Sequence, residues 1–199
     1  MRARKAGDRP SPSSFRKKKR RRTISGGKTL VLGLGNDLYG DDGVGIEVVR
    51  RLREETATVR NEEHTVFEEC TLTGLALLDV ITGYDRLILV DTIKRPRPRT
   101  GRVSILRAED LRSLPGPSPH YVSVPQTIEI GRRVGLPVPS TIIVVAVESK
   151  NMHRLGEGLS EDMRRSLPRI METVREALKN DATGKKITGS ARGARGRRP

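Results

Sequence analysis

Asp41-Asp42, Asp91 and His120 are the residues of this chain whose types and spacing offer chemistry. The two acids follow a Gly-rich loop, Asp91 is the first polar residue after an apolar run, and His120 stands in the loop Pro117-Ser118-Pro119-His120. Two carboxylates and one imidazole from three separate loops make an O/N donor set for a divalent transition metal such as zinc, nickel or manganese. Each also has an ordinary structural use. Acids at a helix start cap it, an Asp after a strand forms a turn, and a loop histidine is solvated.

The first loop, Gly33-Leu34-Gly35-Asn36-Asp37-Leu38-Tyr39-Gly40-Asp41-Asp42-Gly43-Val44-Gly45, invites a phosphate reading and fails it. A dinucleotide fingerprint needs its third glycine at position 38, where Leu38 stands. A P-loop from Gly35 would place Gly40 correctly, but Asp41 and Asp42 replace its Lys and Ser/Thr and would repel phosphate. Other catalytic patterns are missing too. None of His64, His120 or His153 belongs to an HExxH, and there is no Gly-x-Ser-x-Gly elbow. The single cysteine, Cys70, excludes an intrachain disulfide and a Cys-rich zinc cluster, and reads as a buried strand residue.

These residues need strands and helices to present them. Thr29 to Leu34 is a near-continuous apolar run, as a buried parallel strand requires. Val44, Val48 and Leu52, with Val49 beside them, form one helix face over Gly43 to Leu52. Further strands are expected at Thr65–Cys70, Arg86–Val90, Arg102–Leu106 and Thr141–Val147. Further helices are expected at Gly74–Thr82, at Val124–Val134, and after Ser160, whose hydroxyl caps a helix opening Glu161-Asp162. The apolar face of that last helix is Met163, Leu167, Ile170, Val174 and Leu178, with a kink expected at Pro168. Strands alternating with helices predict an α/β fold: a three-layer αβα domain, its mostly parallel central sheet of about five strands covered by helices on both faces. Such sheets bind ligands beyond the carboxyl ends of their strands, where Asp42, Asp91 and Glu148 all fall.

The 199 residues carry a net charge of +15, which by itself suggests a nucleic-acid partner. The excess is confined to the ends. Residues 1–27 hold 11 Lys/Arg and one acid, residues 182–199 hold six and none, and the body between them holds 22 basic and 23 acidic residues. Both tails are too poor in apolar side chains to offset their ordering entropy, so they are expected to be disordered flanks of a domain at 28–181. The block Lys17 to Arg22 could neutralise phosphates, leaving nucleic acid as a conceivable partner of the tails. No apolar run is long enough for a membrane span, and no signal-peptide core follows the early arginines, so a cytoplasmic, membrane-free protein is expected.

With these residues in view, the stretch LVLGLGNDLYGDDGVGIEVVRRL resembles the opening of the [NiFe]-hydrogenase maturation endopeptidases. Thr73-Gly74-Leu75 followed by Leu78, DRLILVDT ending around Asp91, SPH at 118–120 and GLS at 158–160 extend the resemblance over about 28–179. It implies a peptidase that removes a C-terminal peptide from the hydrogenase large-subunit precursor after nickel insertion. It also implies that Asp42, Asp91 and His120 are the metal-engaging set, with nickel supplied by the substrate rather than resident. Gly35, Asn36, Asp41, Thr73 and Gly74 then become candidates for holding the substrate chain. The metal would polarise the scissile carbonyl or activate water, or one carboxylate would act as general base.

Two further readings stand beside it. One is a non-catalytic α/β binding module tethered to nucleic acid or an acidic partner by its tails, and the other is a hydrolase with a resident metal. The basic loop Lys94-Arg95-Pro96-Arg97-Pro98-Arg99 reads either as a solvated loop or as a dock for an acidic surface.

Overall fold

The computed structural model describes residues 27–57, 64–107, 119–152, 154–156 and 158–180, with the side chains of 57, 119–123 and 180 outside that description. Both basic tails, apart from Gly27, lie outside the described residues, as do residues 108–118 and His153.

Five strands form one sheet in the order β2-β1-β3-β5-β4. They are β1 (Thr29–Leu34), β2 (Thr65–Cys70), β3 (Arg86–Ile93), β4 (Val103–Arg107) and β5 (Thr141–Glu148). The first three and β5 run parallel, and β4 is an antiparallel edge on β5. The helices are α1 (Val44–Ala57), α2 (Leu77–Ile81), α3 (Pro119–Arg133) and α4 (Glu161–Asn180).

Strand alternation sorts the apolar side chains into two cores. Ile88 and Val90 of β3 join Val48 and Leu52 of α1 and Met163, Leu167 and Ile170 of α4. Leu87, Leu89 and Ile93 face the other way, into Leu77 and Ile81 of α2 and Val124 and Ile128 of α3. The expected three-layer αβα architecture, with helices on both faces of a mostly parallel sheet, is the one found. The central strands carry apolar side chains on both faces because both faces are covered, which is why they read as runs rather than alternations.

Several boundaries differ from expectation, and two of the differences matter for the site. β3 continues through Asp91 and Thr92 to Ile93, because β5 offers Ala146, Val147 and Glu148 as partners. Asp91 is therefore inside a strand rather than after one. α3 starts at Pro119 rather than Val124, so His120 sits in a helix's first turn and not in a free loop. The helix expected at Gly74–Thr82 is a 3-10 turn, Gly74–Ala76, leading into the short α2. α4 runs on past Pro168 to Asn180, capped by the Ser160 hydroxyl, which accepts from the Met163 N–H at 3.3 Å. Among the described residues no helix is long and apolar enough to cross a membrane.

The order β2-β1-β3 places the first crossover on one side of β1 and the second on the other. The carboxyl ends of β1 and β3 thus flank the topological switch point, where doubly wound sheets open a crevice. The β1–β3 ladder ends at Gly33↔Val90, so Asp91 to Ile93 project past their neighbour. The loop after β1 fills the vacated edge.

Candidate active site

That loop descends to a 3-10 turn, Gly40–Gly43, in which Asp41 and Asp42 are both buried. Its path depends on Gly35. There φ is +146°, and a Cβ would lie 1.9 Å from the Asp42 carbonyl oxygen, so no side chain is accommodated. Gly45 lets the start of α1 press on the sheet, since a Cβ would sit 2.3 Å from the Val90 carbonyl oxygen and 2.4 Å from that of Leu34. The Gly-rich pattern that suggested phosphate binding therefore serves close packing, and it delivers Asp42 beside β3.

Asp91 is fully buried. Its Oδ1 accepts from the Thr92 amide N–H at 2.7 Å, while its Oδ2 is buried without a hydrogen-bond partner among the described residues. The Thr92 hydroxyl, also buried, donates to Asp42 Oδ1 at 3.0 Å and so joins the two carboxylates through one residue. Burial pushes the Asp91 carboxyl well above its ordinary value, and the neighbouring Asp42 charge pushes it further; the Thr92 N–H bond acts against both. The result is a pair of close, desolvated carboxyl groups, one of which favours its proton. Such a pair invites a cation or performs acid–base work.

By alternation along β3, Asp91 shares its sheet face with Leu89 and Ile93, the face that α3 covers. His120 is the second residue of α3, and its side chain lies outside the described residues. Among the described residues no group of three or more His, Cys, Asp or Glu is assembled that could hold a metal ion. What they bring together is the Asp42–Asp91 pair.

Asp41 points into the protein. Its carboxylate accepts from the Ser149 hydroxyl at 2.6 Å, the Ser160 amide at 2.7 Å and the Ser160 hydroxyl at 3.0 Å. It is fully buried, with its carboxylate turned to these serines. It ties the 3-10 turn to the end of β5 and to the cap of α4, fixing the backbone from which Asp42 extends.

The other expected substrate-contact residues line the carboxyl edge. Asn36 Oδ1 accepts from the Leu38 N–H at 3.0 Å, an Asx turn that shapes the loop. The Gly35 amide donates to the Cys70 carbonyl at 3.2 Å, linking this loop to β2. Thr73 is exposed, and Gly74, at φ +62°, accepts at its carbonyl from Thr127 Oγ1 of α3 at 3.0 Å. Cys70 is buried and its thiol is pushed up by desolvation, as a structural cysteine's would be.

Sequence reasoning missed Thr92, Ser149 and the second role of Ser160. A hydroxyl beside an aspartate on a strand carries no spacing signature, and Ser149 and Ser160 reach Asp41 across more than 100 residues. The weak cue for His120 was Pro119, a residue type favoured at the first helical position.

The chain is thus a doubly wound sheet with a buried carboxylate pair at its switch point. The family model for hydrogenase maturation protease matches residues 46–177, and the chain belongs to that family of peptidases. The match takes in Asp91 and His120 and begins four residues after Asp42. The chain is 27% identical over 155 residues to the hydrogenase 2 maturation protease of Escherichia coli, covering 76% of this chain and 91% of that protein. It is 24% identical over 156 residues to the hydrogenase expression/formation protein HupD of Rhizobium leguminosarum, covering 77% and 75%. Among solved structures, the fold is similar to the hydrogenase maturating endopeptidase HybD of E. coli, with a TM-score of 0.63 at 23% identity over 77% of this chain and 93% of that one. A [NiFe] hydrogenase maturation protease from Thermococcus kodakarensis gives 0.59 at 19% identity, covering 76% and 99%.

Proposed function

We propose that this peptidase removes a C-terminal peptide from a [NiFe]-hydrogenase large-subunit precursor after nickel insertion, using Asp42, Asp91 and His120 to engage the nickel that the substrate carries. The observation that carries the reading is the buried Asp42–Asp91 pair, joined through Thr92 and holding one carboxylate oxygen with no hydrogen-bond partner among the described residues. A dication shared by the pair would offset the repulsion and desolvation that now favour a proton on Asp91. His120, in the first turn of α3 on the sheet face shared by Asp91, would add a nitrogen donor. The names of the curated relatives from E. coli and R. leguminosarum support a hydrogenase as the client.

Nickel enters here as part of the substrate, so the site is complete only when a loaded precursor docks. Bound between protein and substrate, the metal would polarise the scissile carbonyl or an attacking water. The loop at Gly35 and Asn36 would guide the substrate chain over the carboxyl edge, with Thr73 and Gly74 on the adjoining strand end. Asp41 acts from behind by holding the turn.

The test incubates the full chain with nickel-loaded and nickel-free large-subunit precursor and follows precursor mass. Loss of a C-terminal peptide from the loaded form alone is expected. An intact loaded precursor, or equal trimming of both forms, would overturn the proposal.

A further inference from the structure

The basic loop after β3 is built as a rim on the same edge as the acid pair, and Glu148 is what builds it. Five of the nine residues from Lys94 to Arg102 are cationic and none is acidic. A loop so charged repels itself and, left alone, would extend into water. Here it is folded back on a carboxylate that is 1% exposed. Glu148 accepts from the Arg99 amide at 3.0 Å and lies 3.3 Å from Arg95 Nε and 3.8 Å from Arg102 Nε. The Gly101 amide donates to the Glu148 carbonyl, the Glu148 amide to the Arg102 carbonyl, and the Lys150 amide to Thr100 Oγ1. Gly101, at φ +80°, presses on α4 so closely that a Cβ would lie 1.8 Å from Ser166 Oγ.

Glu148 thus pairs with the half-buried Arg95 and, more distantly, with the exposed Arg102, while Lys94, Arg97 and Arg99 are exposed as well. Among the described residues these three have no ion-pair partner. Lys94 follows Asp91 by three residues, which an extended chain spans in about 10 Å. That is roughly one screening length at moderate salt, so the near end of the rim and the acid pair can act on the same bound chain.

We infer that Lys94, Arg97 and Arg99 form a docking rim for an acidic segment of the substrate protein, with Lys94 about three residues of extended chain from Asp91. The rim rests on the protease reading for its substrate. Opposite fields at adjacent positions, negative where a metal is engaged and positive beside it, orient a substrate that carries a cation next to an acidic stretch. A nucleic acid fits less well, because its phosphates would meet the buried carboxylates at the end of the rim.

The experiment compares the full chain with K94E/R97E/R99E and K94Q/R97Q/R99Q, tails unchanged in all three. Precursor binding is measured by anisotropy of a labelled nickel-loaded precursor, and cleavage is measured separately. Charge reversal is expected to weaken binding and raise KM about tenfold at low salt, and neutralisation less, with kcat nearly constant and the gap closing as salt rises. Unchanged thermal unfolding would show that the fold persists. Equal binding by wild type and both variants would overturn the rim while leaving the protease reading intact. Tight binding without cleavage by wild type would sink the protease reading and leave the rim standing. A labelled single-stranded oligonucleotide whose affinity falls further than the precursor's would reassign the surface to nucleic acid and overturn the proposal.

Discussion

Thr92 and Asp42 are separated by 50 residues in sequence, yet the Thr92 hydroxyl donates to Asp42 Oδ1 at 3.0 Å in a buried setting. The same residue's amide donates to Asp91 Oδ1 at 2.7 Å. One residue of β3 therefore sets the spacing of both carboxylates, with its backbone serving one and its side chain the other. This holds two acids together without any cation among the described residues to balance them.

Replacing Thr92 by Val keeps its shape and removes the hydroxyl. A hydrogen bond to a carboxylate contributes about 1.5–3 kcal/mol, so Thr92→Val is expected to lower stability by roughly that amount and cut cleavage about tenfold. Thr92→Ser, which retains the hydroxyl, should recover most of the cleavage. Denaturant unfolding and single-turnover cleavage measure the two effects. Equal activity of the Val and Ser variants would show that the bond does not position Asp42.

The Asp91 carboxyl holds its proton well above the ordinary value of 3.8. Between that value and its raised folded one, the folded chain binds more protons than the unfolded chain, so stability falls as pH rises through the window. The contribution is fully present below pH 3.8 and gone above the folded value. Asp91→Asn cannot titrate there. In metal-free protein its stability relative to wild type should grow from weakly acidic toward neutral pH, as followed by urea unfolding across a pH series. A difference independent of pH would contradict the buried, proton-favouring state.

Asp41 makes three hydrogen bonds to Ser149 and Ser160 from a fully buried position. Asp41→Ala leaves those donors without their acceptor, and a loss of about 2–4 kcal/mol is expected. Thermal unfolding measures it. Asp41→Ala with wild-type stability and a raised KM alone would instead mark Asp41 as a substrate contact.

Much of the scaffold was legible in the chain, and the reason is local. β1 and β2 could be bounded because an apolar run or a pattern of branched residues ends at Gly or a polar turn. The cap of α4 was readable from Ser160 followed by two acids. The end of β3 was not, because whether Asp91-Thr92-Ile93 continues a strand depends on what β5 presents beside it. The start of α3 was missed because Pro125 suits a first helical turn and so favours a start at Val124, whereas the helix runs back to Pro119. Asp42 and Asp91 could be singled out from their places at strand ends. Their connection through Thr92, the inward turn of Asp41 and the use of Glu148 to fold a basic loop are tertiary contacts with no periodic trace.

Asp42, Asp91 and His120 are proposed to act together on a nickel-bearing substrate. The most direct measurement is single-turnover cleavage of the nickel-loaded precursor by wild type, Asp42→Asn, Asp91→Asn and His120→Ala, each shown to be folded by circular dichroism. Wild type is expected to release the C-terminal peptide, and each variant to do so roughly a thousandfold more slowly. Near-wild-type cleavage by any one of the folded variants would contradict the account.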